Sequence, residues 1–419
     1  MKTEYEKFLN RIPDGWGFDR LKDIVTLRNK KTDESSIDND YLELEDIESG
    51  TGKILNRRNT METISAVTLF KKGDVLFGKL RPYLEKYYQA EFDGKCTGEI
   101  LAFEPKGIAS RFLFYCISSS WFIERSNMLA YGAKMPRVNW PTQLALFNLP
   151  LPPLSEQKII AAYLNQSCEA LDAAVAVKRS QLETLDNLKK STIKKAVTIG
   201  LNAEVPMKST KVDWIPKIPK HWHLKRVKDV LKFFNNIRIP LSAADRGSMT
   251  NKEYDYYGAS GVIDKVDDYL FDGTYILIAE DGANLLTRSK PLSFLATGKF
   301  WVNNHAHILK PSSGGDDDFF VNLLESQDFS LFVTGAAQPK LTMENLGRFK
   351  LPVPGINEQK AIAAFIQGKE IEFRTLQKNI ESQITTLLAY RKSLIHECVT
   401  GKRRITEEDV ARVSKEAFN

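Results

Sequence analysis

The chain has 419 residues, 42% hydrophobic and 27% charged, which is too long for one ordinary core and predicts two domains with linking elements. Lys and Arg outnumber Asp and Glu by 59 to 53, a formal charge of +6 that permits a polyanionic partner without requiring one. Cys96, Cys116, Cys168 and Cys398 have no paired spacing, which argues against a disulfide frame or zinc module and for a reduced, cytoplasmic protein. The N-terminus is too charged for a signal peptide, and no apolar run is long enough to span a membrane.

Residues 1 to 150 read as a strand-rich mixed domain, with Asp74-Val-Leu-Phe77 as a strand and a helix around Ser110 to Cys116. Its polar loops, Gly78-Lys79-Leu80-Arg81-Pro82 and Gly132 to Asn139, offer Lys79, Arg81, Lys134 and Arg137 as candidate contacts to a polyanion. Leu149-Pro-Leu-Pro-Pro-Leu-Ser-Glu-Gln-Lys158 leads across the boundary into residues 151 to 203, which from there run without proline or glycine to Gly200. Ser155 is the expected N-cap, followed by an acidic first turn, so a helix of about 40 residues is predicted. Leu164, Leu171, Val175, Leu182 and Leu185 form an apolar seam along it, interrupted at Lys178.

Residues 204 to 353 predict a second mixed domain, with Tyr275-Ile-Leu-Ile278 as a strand and a helix around Asp318 to Leu324. Its loops supply Arg288, Lys290, Gln338 and Lys340 as the corresponding candidates, beside Glu280-Asp281 and Asn303-Asn304-His305. Residues 354 to 401 predict a second long helix, capped by Asn357, with Phe373, Leu376, Ile380, Gln383, Leu387, Tyr390 and Leu394 at spacings of three and four. Residues 402 to 419 form a tail.

The second half therefore repeats the first. Ile12-Pro13, Trp16, Arg20 and Lys22-Asp23 return at a constant offset of 206 as Ile218-Pro219, Trp222, Arg226 and Lys228-Asp229. Leu149 to Lys158 returns as Leu351-Pro-Val-Pro-Gly-Ile-Asn-Glu-Gln-Lys360, and Gly132 to Arg137 as Gly335 to Lys340. Lys72 to Lys79 echoes Asp272 to Ala279 only loosely. The expected fold class is α+β: two similar mixed domains separated by two long helices, paired as an antiparallel coiled coil about a pseudo-twofold axis. Two long rods that each need a partner would act as a separator for an extended, periodic ligand.

No phosphate-binding Gly-x-x-x-x-Gly-Lys-Ser/Thr loop, S-adenosylmethionine turn or Asp/Asn-Pro-Pro-aromatic tetrapeptide occurs, so ATP hydrolysis or methyl transfer by this chain alone is not expected. His221/His223 and His305/His307 each place two imidazoles on one strand face, but neither has a convincing third metal ligand.

The repeated Leu-Pro-x-Pro followed by Glu-Gln-Lys, Tyr257-Gly-Ala-Ser-Gly261 with Glu280-Asp-Gly282, and Gly335 to Leu341 resemble the specificity subunit of type I restriction-modification enzymes. The resemblance covers essentially the whole chain. It implies two target recognition domains, each reading one half of a bipartite double-stranded DNA site, with the helices setting the gap. It further implies two modification subunits that bind S-adenosylmethionine and methylate adenine N6, and restriction subunits that use ATP and Mg. On this chain itself it implies no catalytic residue, cofactor or metal. The first domain lacks a clear counterpart of Tyr257 to Gly261, so the domains are expected to read different half-sites. The alternatives are a specificity module for a fused restriction-modification enzyme, and a coiled-coil scaffold with two protein-binding domains.

Overall fold

The computed structural model describes residues 13–29, 31–32, 40–57, 67–202, 204–335 and 337–416; Ile12 and Ala336 of the repeat motifs lie outside them. The chain divides into two compact units that are not its two sequence halves: one takes Met1–Arg179 with Glu381–Asn419, the other Ser180–Ile380. Each long helix thus begins in one unit and ends in the other. Among the described residues no helix is long and apolar enough to cross a membrane.

The two units share one sheet topology. In the first, β1 (Val25–Leu27), β2 (Val75–Gly78), β3 (Tyr87–Gln89) and β4 (Ile100–Pro105) lie in the order β1-β4-β2-β3. In the second, β5 (Leu231–Phe233), β6 (Tyr275–Ala279), β7 (Ser293–Ala296) and β8 (Ala306–Pro311) lie in the order β5-β8-β6-β7. Val75, Leu76 and Phe77 are all buried, as are Ile276, Leu277 and Ile278, so these strands are covered on both faces and read as continuous apolar runs. A second four-stranded sheet covers one face in each unit, and a helix, Ser110–Ser118 or Asp317–Glu325, covers the other.

The repeat motifs are joints of this architecture. The long helices span Leu154–Ile199 and Ile356–Val399, so each starts one residue ahead of its expected cap, Ser155 or Asn357. The glutamine that follows fixes each start. Gln157 accepts from the Ala109 amide at 2.8 Å and donates to the Pro152 carbonyl at 2.9 Å. Gln359 does the same with Asp316 at 3.1 Å and Pro354 at 3.0 Å. Both glutamines are buried, so their amides satisfy backbone groups that water cannot reach, and each ties a long helix to the first turn of its domain helix.

Within each unit the two helices pair. In the first, Leu164, Cys168, Leu394, Ile395 and Cys398 share one core with Trp16 and Leu149. Asp172 meets Arg391 at 3.0 Å. In the second, Lys189 meets Glu370 at 3.4 Å, and Leu182 and Leu185 face Phe373. Leu164, Val175, Phe373 and Leu394 are buried; Leu171, Leu182, Leu185, Ile380 and Leu387 are half-buried.

The seam of the second helix differs from the expected one. Leu376 is 49% exposed and Tyr390 50%, whereas Ile384, Arg391 and Cys398 turn inward. The companions of Ile380 and Leu387 are therefore four residues on, at Ile384 and Arg391, not three, and Cys398 continues the same step beyond Leu394. Both steps lie beside a given residue on a helix surface, and apolarity alone favoured Leu376 and Tyr390. Arg391 can sit inside because Asp172 and the Gly50 carbonyl, at 3.2 Å, receive its guanidinium.

Candidate nucleic-acid interface

At one edge of each unit three segments meet in the same backbone pattern. In the first unit they are the end of β2, the turn before β4 and the hairpin from Tyr131 to Val138. Lys79 N–H donates to the Glu99 carbonyl at 2.9 Å, Val138 N–H to that of Lys79 at 3.0 Å, and Arg81 N–H to that of Pro136 at 2.7 Å. In the second unit Glu280 N–H donates to His305 at 2.9 Å, Leu341 N–H to Glu280 at 2.8 Å, and Gly282 N–H to Pro339 at 3.0 Å. Tyr131 and Arg137 exchange two backbone bonds, as do Thr334 and Lys340.

These bonds fix the correspondence between the repeats. Gly78 pairs with Ile100 across β2 and β4 as Ala279 pairs with Ala306 across β6 and β8. Lys79 therefore corresponds to Glu280, one residue out of register with the match of Lys72–Lys79 to Asp272–Ala279 read from the sequence. Glu99 corresponds to His305, and Arg137 to Lys340.

The frame brings the first unit's four candidates together. Arg137 is chelated by Glu99, with Nε to Oε2 at 3.1 Å and Nη2 to Oε1 at 3.1 Å, which raises its pKa further above its ordinary range. Arg81 adopts φ 52° and donates from Nη2 to the Lys134 carbonyl at 3.1 Å, tying the two loops together. The ammonium groups of Lys79, half-buried, and Lys134, exposed, have no partner among the described residues.

The second unit's candidates fare differently. Arg288 donates to the Glu325 carbonyl and, at 3.3 Å, to that of Gln327, so it caps the C-terminus of Asp317–Glu325 instead of standing free. Its own backbone is left-handed at φ 52°. Lys290 and Gln338 are exposed, and the Lys290 backbone is held by Asn284. Lys340 contacts Glu280 at 3.2 Å, and Arg238 meets the same carboxylate at 2.6 Å. Burial works to raise the Glu280 pKa, but the Arg238 hydrogen bond and neighbouring charge outweigh it and hold the carboxyl below its usual range.

The histidines next to this carboxylate are already engaged. His307 is wholly buried, which lowers its pKa and keeps it neutral. Its Nε2–H donates to the Leu341 carbonyl at 2.7 Å, leaving Nδ1 to accept from Asn235 at 2.8 Å. His305 turns to Asp281, its Nδ1 2.9 Å from both carboxylate oxygens. His221 is bound to Glu358 at 2.9 Å. Asp281 and His305 lie in polar loops that the sequence already places beside the second domain's candidates, whereas nothing in the sequence marks Glu99, and the one-residue slip in register hides the pairing of Lys79 with Glu280.

A family model for the type I restriction modification DNA specificity domain matches residues 13–194 and 219–386. The putative type I restriction enzyme MjaX specificity subunit of Methanocaldococcus jannaschii is 25% identical over 434 aligned residues, covering 96% of each chain. The EcoDI specificity subunit of Escherichia coli is 28% identical over 207 residues, 49% of this chain and 46% of the relative. A putative specificity subunit of Haemophilus influenzae is 29% identical over 162 residues, 39% of this chain and 38% of the relative. The aligned region thus spans less than half of these last two proteins. Among solved structures, a chain of a type I R-M system superimposes with a TM-score of 0.73 at 15% identity, covering 94% of this chain and 100% of that one. The HsdS subunit of Thermoanaerobacter tengcongensis follows with 0.52 at 17% identity, covering 94% and 98%.

Proposed function

Because this chain belongs to the family of type I restriction-modification DNA specificity subunits, we propose that each of its units reads one half of a bipartite duplex site. The observation that carries this reading is the rim frame: one backbone hydrogen-bond pattern occurs twice, with different side chains on it. A constant scaffold with changed side chains suits two readings of the same kind of ligand. Lys79, Arg81, Lys134 and Arg137 supply cations to one half-site. Lys290, Gln338 and Lys340 supply the exposed donors at the other, and Arg288 acts through the loop it anchors.

The long helices, continuous from one unit into the other, fix the gap between half-sites and dock two modification subunits. Those subunits hold S-adenosylmethionine and methylate adenine N6; restriction subunits use ATP and Mg for translocation and cleavage. This chain contributes sequence recognition and no catalytic group.

The test is enrichment from a pool of randomised duplex DNA by the full chain assembled with the modification subunit of its own host. Two short motifs at a fixed separation are expected. Enrichment of a single contiguous motif, or of none, would contradict the reading.

A further inference from the structure

The two rim frames coincide in backbone, keep a cation at Arg137 and Lys340, and differ in charge at three other positions. Where the first unit has Lys79, Leu80 and Glu99, the second has Glu280, Asp281 and His305. Glu280 is turned inward and neutralised by Arg238 and Lys340. Asp281 sits at the rim with its side chain 15% exposed, beside His305 at 48%.

A carboxylate at this position is a poor neighbour for phosphate, because like charges a few ångströms apart repel. The partner it does suit on a duplex is the exocyclic amino group of cytosine or adenine in the major groove, a donor that Asp and Glu accept from. The His305 ring bound to both oxygens orients the carboxylate while its remaining lone pairs stay available. A reading group needs both features, a fixed direction and an unfilled acceptor.

We propose that Asp281, positioned by His305, reads one base pair of the second half-site by accepting a hydrogen bond from an exocyclic amino group. Lys79 and Leu80 give the first unit no acceptor at the matching place, so the two half-sites differ there. This inference rests on the reading that the rim frames face DNA.

The test uses the full chain assembled with the modification subunit, wild type, Asp281→Asn and His305→Gln, each enriched against the same randomised duplex pool. Asp281→Asn keeps the shape and replaces an acceptor oxygen by a donor. Preference at one base pair of one half-site should fall by about tenfold, with the other half-site and the gap unchanged. Binding to non-specific duplex should stay equal or tighten, since a negative charge is removed. His305→Gln should weaken preference at the same pair and nowhere else, an independent check should Asp281→Asn fold poorly. The base enriched by the wild type distinguishes cytosine from adenine.

Motifs identical to wild type in both variants, or an equal loss of affinity for all sequences, would overturn the assignment and leave the pair a structural contact. A wild-type chain that enriches no split motif would instead overturn the functional reading itself.

Discussion

Gly401, at the end of the second long helix, lies under Trp16 at the start of the chain's first repeat, in the left-handed conformation at φ 72°. A Cβ there would stand 3.3 Å from Trp16 Cζ3 and would overlap the Pro13 ring. Gly200, at φ 91°, packs likewise on Trp222, with a Cβ 3.3 Å from Cζ2 and 3.2 Å from Glu358 Oε1. Each unit is thus closed by the helix end that follows the other repeat. Gly401→Ala should destabilise its unit by about 2 kcal/mol, combining left-handed strain with a clash against a stiff ring. Gly200→Ala should cost about 1 kcal/mol, because the Glu358 carboxylate can move. Urea unfolding measured by tryptophan fluorescence checks both, and equal or negligible effects would contradict the packing described.

The Arg391 and Asp172 pair makes a second prediction. Arg391 is buried between the helices and holds the loop carbonyl of Gly50. Removing either partner leaves a desolvated charge, so Arg391→Ala or Asp172→Ala should cost about 3 kcal/mol, while Arg391→Met with Asp172→Leu should recover most of it. Unfolding free energies of Arg391→Met, Asp172→Leu and the two combined close a double-mutant cycle; additive losses would show that the two groups act independently.

All four cysteines are buried, and burial pushes the Cys96 thiol from 9.0 up to about 12 and Cys398 likewise up to about 12. Burial raises Cys116 and Cys168 in the same direction. The folded thiols bind their protons more tightly than the unfolded ones do, so stability is fully present below pH 9.0 and is lost as pH rises towards 12. At pH 8 iodoacetamide should label none of them in the native chain and all of them in denaturant, read by mass spectrometry. Rapid native labelling would contradict the burial.

If the helices set the gap, lengthening them should change the gap and nothing else. Inserting seven residues into each helix, after Arg179 and after Ile380, preserves the seam and adds about 10 Å of rod. The enriched half-sites should be unchanged and their separation should grow by about three base pairs, at 3.4 Å per base step. An unchanged separation would remove the helices from that role.

Much of this architecture was legible because the informative residues repeat. Trp16 and Trp222, the Glu-Gln-Lys segments and the glycines at 200 and 401 all prove to be joints between a helix and a domain, and joints constrain both copies alike. The second helix seam was misread because Leu376 and Tyr390 are as apolar as the residues inside, while Arg391 hides a buried role behind a charge. Arg288 looked like a free cation because nothing local in the sequence reveals that Glu325 and Gln327 present their carbonyls to it. The exchange of Lys79 for Glu280 at the rim is visible only once strand pairing fixes their register.

The central claim is that this chain supplies sequence to a modification reaction carried out by other subunits. Its most direct test is a map of N6-methyladenine in a methylation-free strain expressing the host's modification subunit with and without this chain. The account predicts a split motif with a fixed gap that appears only when the chain is present. Methylation that is absent or unchanged, despite a stable complex between the two proteins, would contradict it.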